Sequence, residues 1–501
     1  MFESVLVANR GEIAVRIIRA CKEMGIRSIA IFSEADRRAL HVLEAHEAYC
    51  VGPPPSSESY LRVDRVLEVA KRAGAEAVHP GYGFLAERSF FSKAVQEAGL
   101  VFVGPSPETI SAMGDKTEAR RRMQAAGVPI VPGATDPLGD AREAEEVARD
   151  IGFPVLLKAS AGGGGKGMRV VEEPQDIVRA FEAASREALA AFGDGSLYLE
   201  RFLDAPRHIE IQVMGDRFGR VIHFGERECS IQRRHQKLIE EAPSPVITPE
   251  LRREMGAAAV RAAEAVSYLG AGTVEFLFKD HEFFFLEMNT RLQVEHPVTE
   301  LVYGVDLVQL QLQVAAGEPL DIPQDSLTST GHAIECRITS EDPYRGFLPS
   351  TGRIDHLRIP AGPGVRWDGG IVIGFEIGLH YDPLLGKLIV HAPTRAAAIR
   401  RMARALDEMV IRGVDSCVPF HRRVMDEVDF QRGSFSIRYL EDHPDLMAGE
   451  EEEAILRAAA VAAALLEEGE MSRLRLDPGS QAGHAAFSAW RMGGGAFRGR
   501  R

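Results

Sequence analysis

Between two short apolar runs, Val155-Leu156-Leu157 and Arg169-Val170-Val171, the chain carries four consecutive glycines, Gly162 to Gly165, with Lys158 before them and Lys166 after them. A run of this kind reads as a loop between two strands. It exposes backbone N–H groups and lets the main chain approach a ligand closely, which suits a phosphate chain. Flexibility alone would also explain the glycines, but the two bracketing lysines supply the charge that phosphates need. The spacing is not that of a Walker A loop, because no glycine lies six residues before Lys166 and Gly167 stands where a Ser or Thr is required. The expectation is a nucleotide held by a different glycine-rich device.

A second constraint comes from Thr273-Val274-Glu275-Phe276-Leu277-Phe278 and Phe283-Phe284-Phe285-Leu286-Glu287-Met288-Asn289. These read as the two strands of a hairpin, too apolar to carry carboxylates idly. Side chains alternate along a strand, so Glu287 and Asn289 share a face, and an odd-numbered loop would set Glu275 opposite Glu287. Two buried carboxylates facing each other repel unless a cation lies between them, and an all-oxygen donor set favours Mg²⁺ or Mn²⁺. Two exposed glutamates at a sheet edge are the plainer alternative. If the chain stays extended, Arg291, Gln293 and Glu295 continue the same face, where an Arg beside a Glu could hold and deprotonate a small anion. A third cluster, Gln232-Arg233-Arg234-His235-Gln236-Lys237, gathers positive charge. It reads as an anion or nucleotide-edge element, a solvated loop being the alternative. His208 is read as a strand residue pointing into the same cleft.

Acidic side chains outnumber basic ones 73 to 59 among the 501 residues, a net charge of −14, so the surface repels nucleic acid and anionic membranes and any anion must be drawn in locally. Five scattered cysteines without a C-x-x-C pair exclude the usual zinc frameworks and point to a reducing cytoplasm. No apolar run approaches the roughly 20 residues of a membrane span. The organisation expected is α/β overall. It begins with an N-terminal parallel-sheet domain over 1–115 that lacks the dinucleotide G-x-G-x-x-G, the turn being Asn9-Arg10-Gly11-Glu12. A linker follows over 116–131, then a mobile lid over 132–203 and a strand-rich region over 204–445, with helices near Pro249–Tyr268, Asp306–Gly317 and Arg395–Met409. The extension 446–501 reads as an Ala-rich helix and a basic tail.

These motifs resemble the biotin carboxylase component of biotin-dependent carboxylases, in the ATP-grasp superfamily, over roughly residues 2–443. The carrying segments are Val7-Ala8-Asn9-Arg10-Gly11-Glu12-Ile13-Ala14, His79-Pro80-Gly81-Tyr82-Gly83-Phe84-Leu85, Met113-Gly114-Asp115-Lys116, the Lys158 to Gly167 loop, Glu226 to Lys237 and Glu287 to Pro297. The resemblance implies that Lys116, Lys158, Gly164, Gly165 and His208 hold ATP phosphates and ribose. Glu200, Arg201, Leu203, Gln232, His235, Leu277 and Ile437 would surround the nucleoside, and Glu275, Glu287 and Asn289 would bind two Mg²⁺ or Mn²⁺ ions. Lys237, Arg291 and Val294 would hold bicarbonate, with Glu295 as the base. Arg337 would stabilise the biotin enolate, and Tyr82, Gly83 and Gln293 would contact the biotin ring.

None of the fourteen methionines precedes a lysine, whereas biotin carriers display a Met-Lys turn, so the resemblance places the biotin carrier protein and the carboxyltransferase on other chains. The latter would choose the acceptor among acetyl-CoA (for fatty acid biosynthesis), propionyl-CoA, pyruvate and 2-oxoglutarate. A homodimer through Arg19, Glu23 and Arg366 is expected, although Pro363 stands where the family carries an aromatic. The alternatives are a carbamoyl-phosphate-forming ligase, which normally shows duplicated halves absent here, and a non-catalytic assembly subunit, which would have lost some of these site residues.

Overall fold

The computed structural model describes residues 1–134, 136–160, 168–449 and 460–465, the Phe192 side chain excepted. Two units are distinguished, Met1–Met447 and Ala448–Arg501. Among the described residues of the second is an exposed helical stretch at 460–465; Gly164, Gly165 and Trp490 lie outside the described residues.

The first unit starts with β1 (Ser4–Val7), β2 (Arg27–Ser33), β3 (Glu47–Gly52), β4 (Ala77–His79) and β5 (Val101–Phe102). They form an all-parallel sheet in the order β3-β2-β1-β4-β5. Period-two alternation divides β1 between two cores: Val5 and Val7 join Ile13, Ile17 and Ala30, while Leu6 and Ala8 join Ile29, Val51 and Phe91. Strand β3 is absent from the sequence reading because, at the sheet edge, only Val51 of its short Ala48-Tyr49-Cys50-Val51 run is buried and no alternation of apolar and polar residues marks it.

A smaller unit follows. Strands β6 (Val155–Ala159), β7 (Met168–Val171) and β8 (Leu197–Arg201) form an antiparallel sheet in the order β7-β6-β8, backed by helices Ala141–Ile151 and Ile177–Phe192. Its core, including Leu138, Ala148, Val155, Leu157, Ile177, Phe181 and Leu199, is drawn from this segment alone.

The rest is organised on one eight-stranded sheet. It contains β9 (Arg207–Gly215), β10 (Val221–Arg233), β11 (Gln236–Ala242), β12 (Gly270–Lys279), β13 (Glu282–Asn289) and β14 (His332–Thr339), and ends with strands Leu384–Ala392 and Val365–Gly369. The spatial order is β13-β12-β9-β10-β11-β14, then Leu384–Ala392, then Val365–Gly369. Helices Pro249–Glu264, Leu307–Ala315 and Arg395–Glu408 fall where periodicity predicts them.

Two local expectations are corrected. The hairpin loop has two residues, not an odd number: Lys279 pairs Glu282, and Asp280 and His281 turn the chain with φ of 50° and 64°. Glu275 still stands opposite Glu287 because a bulge shifts the register between Glu275 and Phe276. The chain beyond Asn289 is not extended either. Strand β13 ends there, and an irregular segment leads into helix His296–Tyr303, with Glu295 as its N-cap and Pro297 in its first turn.

Candidate functional site

The site grows out of β9, β12 and β13. Glu210 on β9 is the register partner of Glu275 on β12, which is the partner of Glu287 on β13, so three carboxylates lie in a row across three strands. Glu210 and Glu275 are buried, whereas Glu287 is exposed, which corrects the expectation of two buried glutamates facing each other. Asn289 joins the row by donating its Nδ2 to Glu275 Oε1 at 2.8 Å.

Buried carboxylates need compensation. Lys237 Nζ lies 2.5 Å from Glu210 Oε2, 2.8 Å from Glu275 Oε1 and 2.7 Å from Glu295 Oε1. His208 Nε2 is 2.9 Å from Glu275 Oε2, and its Nδ1 is 3.0 Å from the Gln232 amide. Arg227, with no exposed surface, donates to Glu210 Oε1 at 2.5 Å, to Gln212 Oε1 at 2.7 Å and to the hydroxyls of Thr299 and Thr273.

The resulting charge states differ along the row. Burial pushes the Glu210 acid upward and neighbouring Glu295 and Glu275 add to this, against Lys237 and Arg227. Glu287, though its side chain reaches solvent, is also raised, by desolvation from the surrounding protein and by the Glu275 charge. At Glu275 burial is outweighed by Lys237 and His208, which hold the carboxyl far below its ordinary range.

Glu295 is the second node. It is fully buried between Lys237 and Arg337 Nη2, the latter at 2.9 Å. Burial opposes its ionisation, but Lys237, Arg337 and Arg227 keep it well below the usual carboxylate range. Arg337 in turn donates its Nε to Glu240 Oε1 at 2.6 Å. Arg291 completes the cluster, donating to Gln293 Oε1 at 2.7 Å, Asn289 Oδ1 at 3.0 Å and Glu87 Oε2 at 2.9 Å, while Gln293 Nε2 donates to Glu275 Oε1 at 3.0 Å. The residues expected to share one face through alternation therefore do converge, through a turn and a hydrogen-bond network instead. The Val294 carbonyl accepts from Lys387 Nζ at 2.8 Å.

The basic cluster at 233–237 divides. Lys237 points into the site, whereas Arg233 donates to the Gly346 carbonyl and covers the Phe347 ring, and Arg234 and exposed His235 form a two-residue turn with φ of 49° and 65°. In the three-stranded unit, Lys158 on β6 pairs with buried Glu200 on β8, which also meets Arg120 Nη1 at 3.3 Å. Arg201 lies over the Phe284 ring, and the Ile437 N–H donates to the Pro206 carbonyl just past half-buried Leu203. Leu277 is the register partner of both His208 and Phe284. Exposed Lys116 opens helix Lys116–Ala125, and its charge favours the ionised form of Glu287.

Tyr82 and Gly83 follow β4 in a loop held by Asn9, whose Nδ2 donates to the carbonyls of Pro80 at 2.8 Å and Tyr82 at 2.7 Å. Gly81 has φ of +63°, and a side chain there would meet the Asn9 amide at 3.0 Å. Of the residues expected at a dimer face, Arg366 is engaged internally, with Glu300 at 2.7 Å and with Asp368, and Glu23 accepts from Gln309. Arg19 alone of the three lines an open apolar groove with Leu357, Ile359, Trp367, Ile371 and Ile373.

Sequence reasoning missed Glu210, Arg227, Glu240, Glu87 and Lys387 as site residues. The polar alternation His208-x-Glu210-x-Gln212 through apolar Ile209, Ile211 and Val213 is a signal that could have found the first.

Residues 1–110 match the family described as biotin carboxylase, N-terminal domain; 115–323 match the carbamoyl-phosphate synthase L chain, ATP binding domain; and 335–442 match the biotin carboxylase C-terminal domain. The chain is 53% identical to a pyruvate carboxylase subunit of Methanothermobacter thermautotrophicus, over 88% of this chain and 90% of that one. It is 51% identical to the biotin carboxylase of a Nostoc species, over 88% and 99%. The biotin carboxylase domain dimer of Hydrogenobacter thermophilus 2-oxoglutarate carboxylase, solved with MgADP, ADP and bicarbonate, superposes with a TM-score of 0.83 at 49% identity, covering 90% of this chain and all of that one. With three family matches spanning most of its length and the ATP-grasp architecture described above, this chain belongs to the biotin carboxylase family.

Proposed function

We propose that the chain carboxylates biotin on a separate carrier protein, using ATP and bicarbonate by way of carboxyphosphate, as the first half-reaction of a multi-subunit acyl-CoA or pyruvate carboxylase. The observation that carries this reading is Glu295. It is a buried carboxylate kept ionised by Lys237 and Arg337 and linked through Lys237 to Glu275. Ionised, it is able to accept the proton of a bicarbonate anion held by Lys237, Arg291 and the Val294 backbone, and it gains basicity as Lys237 turns from it to that anion.

Glu275, Glu287 and the Asn289 amide oxygen form an all-oxygen donor set in which the Glu275 charge raises the facing Glu287 acid, a repulsion that a cation between them relieves, and so fit two Mg²⁺ or Mn²⁺ ions. Bound there, the metal would neutralise charge on the transferring phosphoryl group. Lys116, Lys158, His208, Gly164 and Gly165 are assigned to the phosphates and ribose. Glu200, Arg201, Leu203, Gln232, His235, Leu277 and Ile437 are assigned to the nucleoside, with 132–203 as the lid that excludes water from the intermediate. Arg337, anchored by Glu240, is placed to balance the biotin enolate, and Tyr82, Gly83 and Gln293 to contact its ring.

The carrier and the carboxyltransferase are partners on other chains, and we place the enzyme in the reducing cytoplasm, with all five cysteines as free thiols. No helix among the described residues is long and apolar enough to cross a membrane. A homodimer through the groove beside Arg19 is part of the same reading.

ATP hydrolysis by the purified chain with Mg²⁺ tests the proposal in three arms: no addition, bicarbonate, and bicarbonate with free biotin. Stimulation by biotin only when bicarbonate is present is expected. Turnover that needs bicarbonate but ignores biotin would instead assign a different ATP-grasp ligase.

A further inference from the structure

Lys387 sits in the apolar run Leu384-Leu385-Gly386-Lys387-Leu388-Ile389-Val390 and has no exposed surface. An ammonium that leaves water entirely is expensive unless several groups meet it, and those it meets come from three separate parts of the chain. Its Nζ donates to the Val294 carbonyl at 2.8 Å. It lies 3.2 Å from Glu12 Oε2, in the first helix after β1. It also stands 5.9 Å from the centre of the Tyr82 ring. On the neighbouring strand, buried Glu335 has no hydrogen-bond partner at either oxygen, and burial outweighs Lys387 and raises its acid well above the ordinary carboxylate range, so the negative charge beside the ammonium is left to Glu12.

These contacts have a geometric consequence. The Val294 carbonyl belongs to the planar peptide whose N–H is that of Glu295, so a donor fixed on that oxygen fixes the plane from which the Glu295 side chain departs. Glu12 lies three residues after Asn9, which holds the loop bearing Tyr82 and Gly83. Its own position is tight: a Cβ at Gly370 would meet the Glu12 backbone nitrogen at 2.7 Å. One ammonium therefore joins the segment carrying the base to the segment carrying the ring contacts.

We propose that Lys387, clamped by Glu12, is a positioning residue that sets the Val294–Glu295 peptide against the Tyr82 loop and so holds the bicarbonate and biotin subsites in register. The proposal rests on the carboxylase reading above. It assigns no chemistry to Lys387 itself, since misplacing a reacting group by about 1 Å is enough to cost up to roughly 100-fold in rate.

Lys387→Met alone would strand a buried Glu12, so the informative variant is Lys387→Met with Glu12→Gln, compared with Glu12→Gln alone and with the parent chain. In the double variant we expect KM for bicarbonate to rise roughly tenfold or more, with KM for ATP within about twofold and less biotin carboxylated per ATP cleaved. Hydrogen–deuterium exchange supplies a readout independent of turnover: the peptide carrying Gln293 to His296 should exchange faster, with the β12–β13 hairpin unchanged. Unchanged exchange in that peptide, or KM values for ATP and bicarbonate rising by the same factor, would overturn the positioning role. A parent chain whose ATP turnover ignores biotin would overturn the carboxylase reading instead, leaving the exchange comparison to decide what Lys387 fixes.

Discussion

Glu295 shows how a side chain acquires a function from its neighbours. A carboxyl with no exposed surface would ordinarily hold its proton, yet two cations within 2.9 Å reverse that. Glu295→Gln preserves the shape and removes the proposed base. We expect bicarbonate-dependent turnover to vanish while ATP affinity stays within a few-fold, and loss of ATP binding would refute the assignment. Glu240 behaves oppositely: burial lifts its pKa from 4.5 to about 7 despite Arg337. Between those two values the native state holds a proton that the unfolded state has released, so stability falls as pH rises through this window and levels off above it. Glu240→Gln should make that decline shallower, and melting temperatures followed from pH 4.5 to 7 will show whether it does. Glu275, Glu287, Asn289, Arg291 and Glu295 were legible because charges stand out against an apolar hairpin and its exit. Arg227 and Lys387 were not, because their significance depends on strands distant in sequence lying side by side.

Among the secondary-structure elements, the hairpin of β12 and β13 is the most instructive. Its strands were readable from composition, but the two features that set its register were not: a turn whose length shows only in pairing, and a bulge that restores the alignment of Glu275 with Glu287. Asp280 and His281 both occupy left-handed backbone, which costs L-residues other than Gly roughly 1–2 kcal/mol each. Asp280→Asn with His281→Gly supplies the preferred turn pair and should stabilise the chain by about 1 kcal/mol in denaturant unfolding, with unaltered kinetics. The irregular segment after Asn289 escaped sequence reading for a related reason. Alternation continues on paper through Glu295, and only the packing of helix His296–Tyr303 shows where the strand stops.

For the whole molecule, no residue assigned to the site lies beyond Ile437, and Met1–Met447 is compact by itself. A chain ending at Met447 should therefore unfold cooperatively and keep biotin-stimulated ATP hydrolysis within about twofold of the full chain. Ile373, 61% exposed in the groove beside Arg19, is the side chain to change at the proposed dimer face. Ile373→Asp should shift sedimentation from dimer to monomer, and an unchanged dimer would move the interface elsewhere. The three-stranded unit with its private core carries a thermodynamic corollary. If the unit closes as the proposed lid, Leu138, Leu157, Phe181 and Leu199 stay buried against one another, so closure exposes no interior apolar area and that core adds almost nothing to the heat-capacity change. Calorimetry of nucleotide binding across a range of temperatures would then report only on the surfaces that meet at the mouth of the cleft.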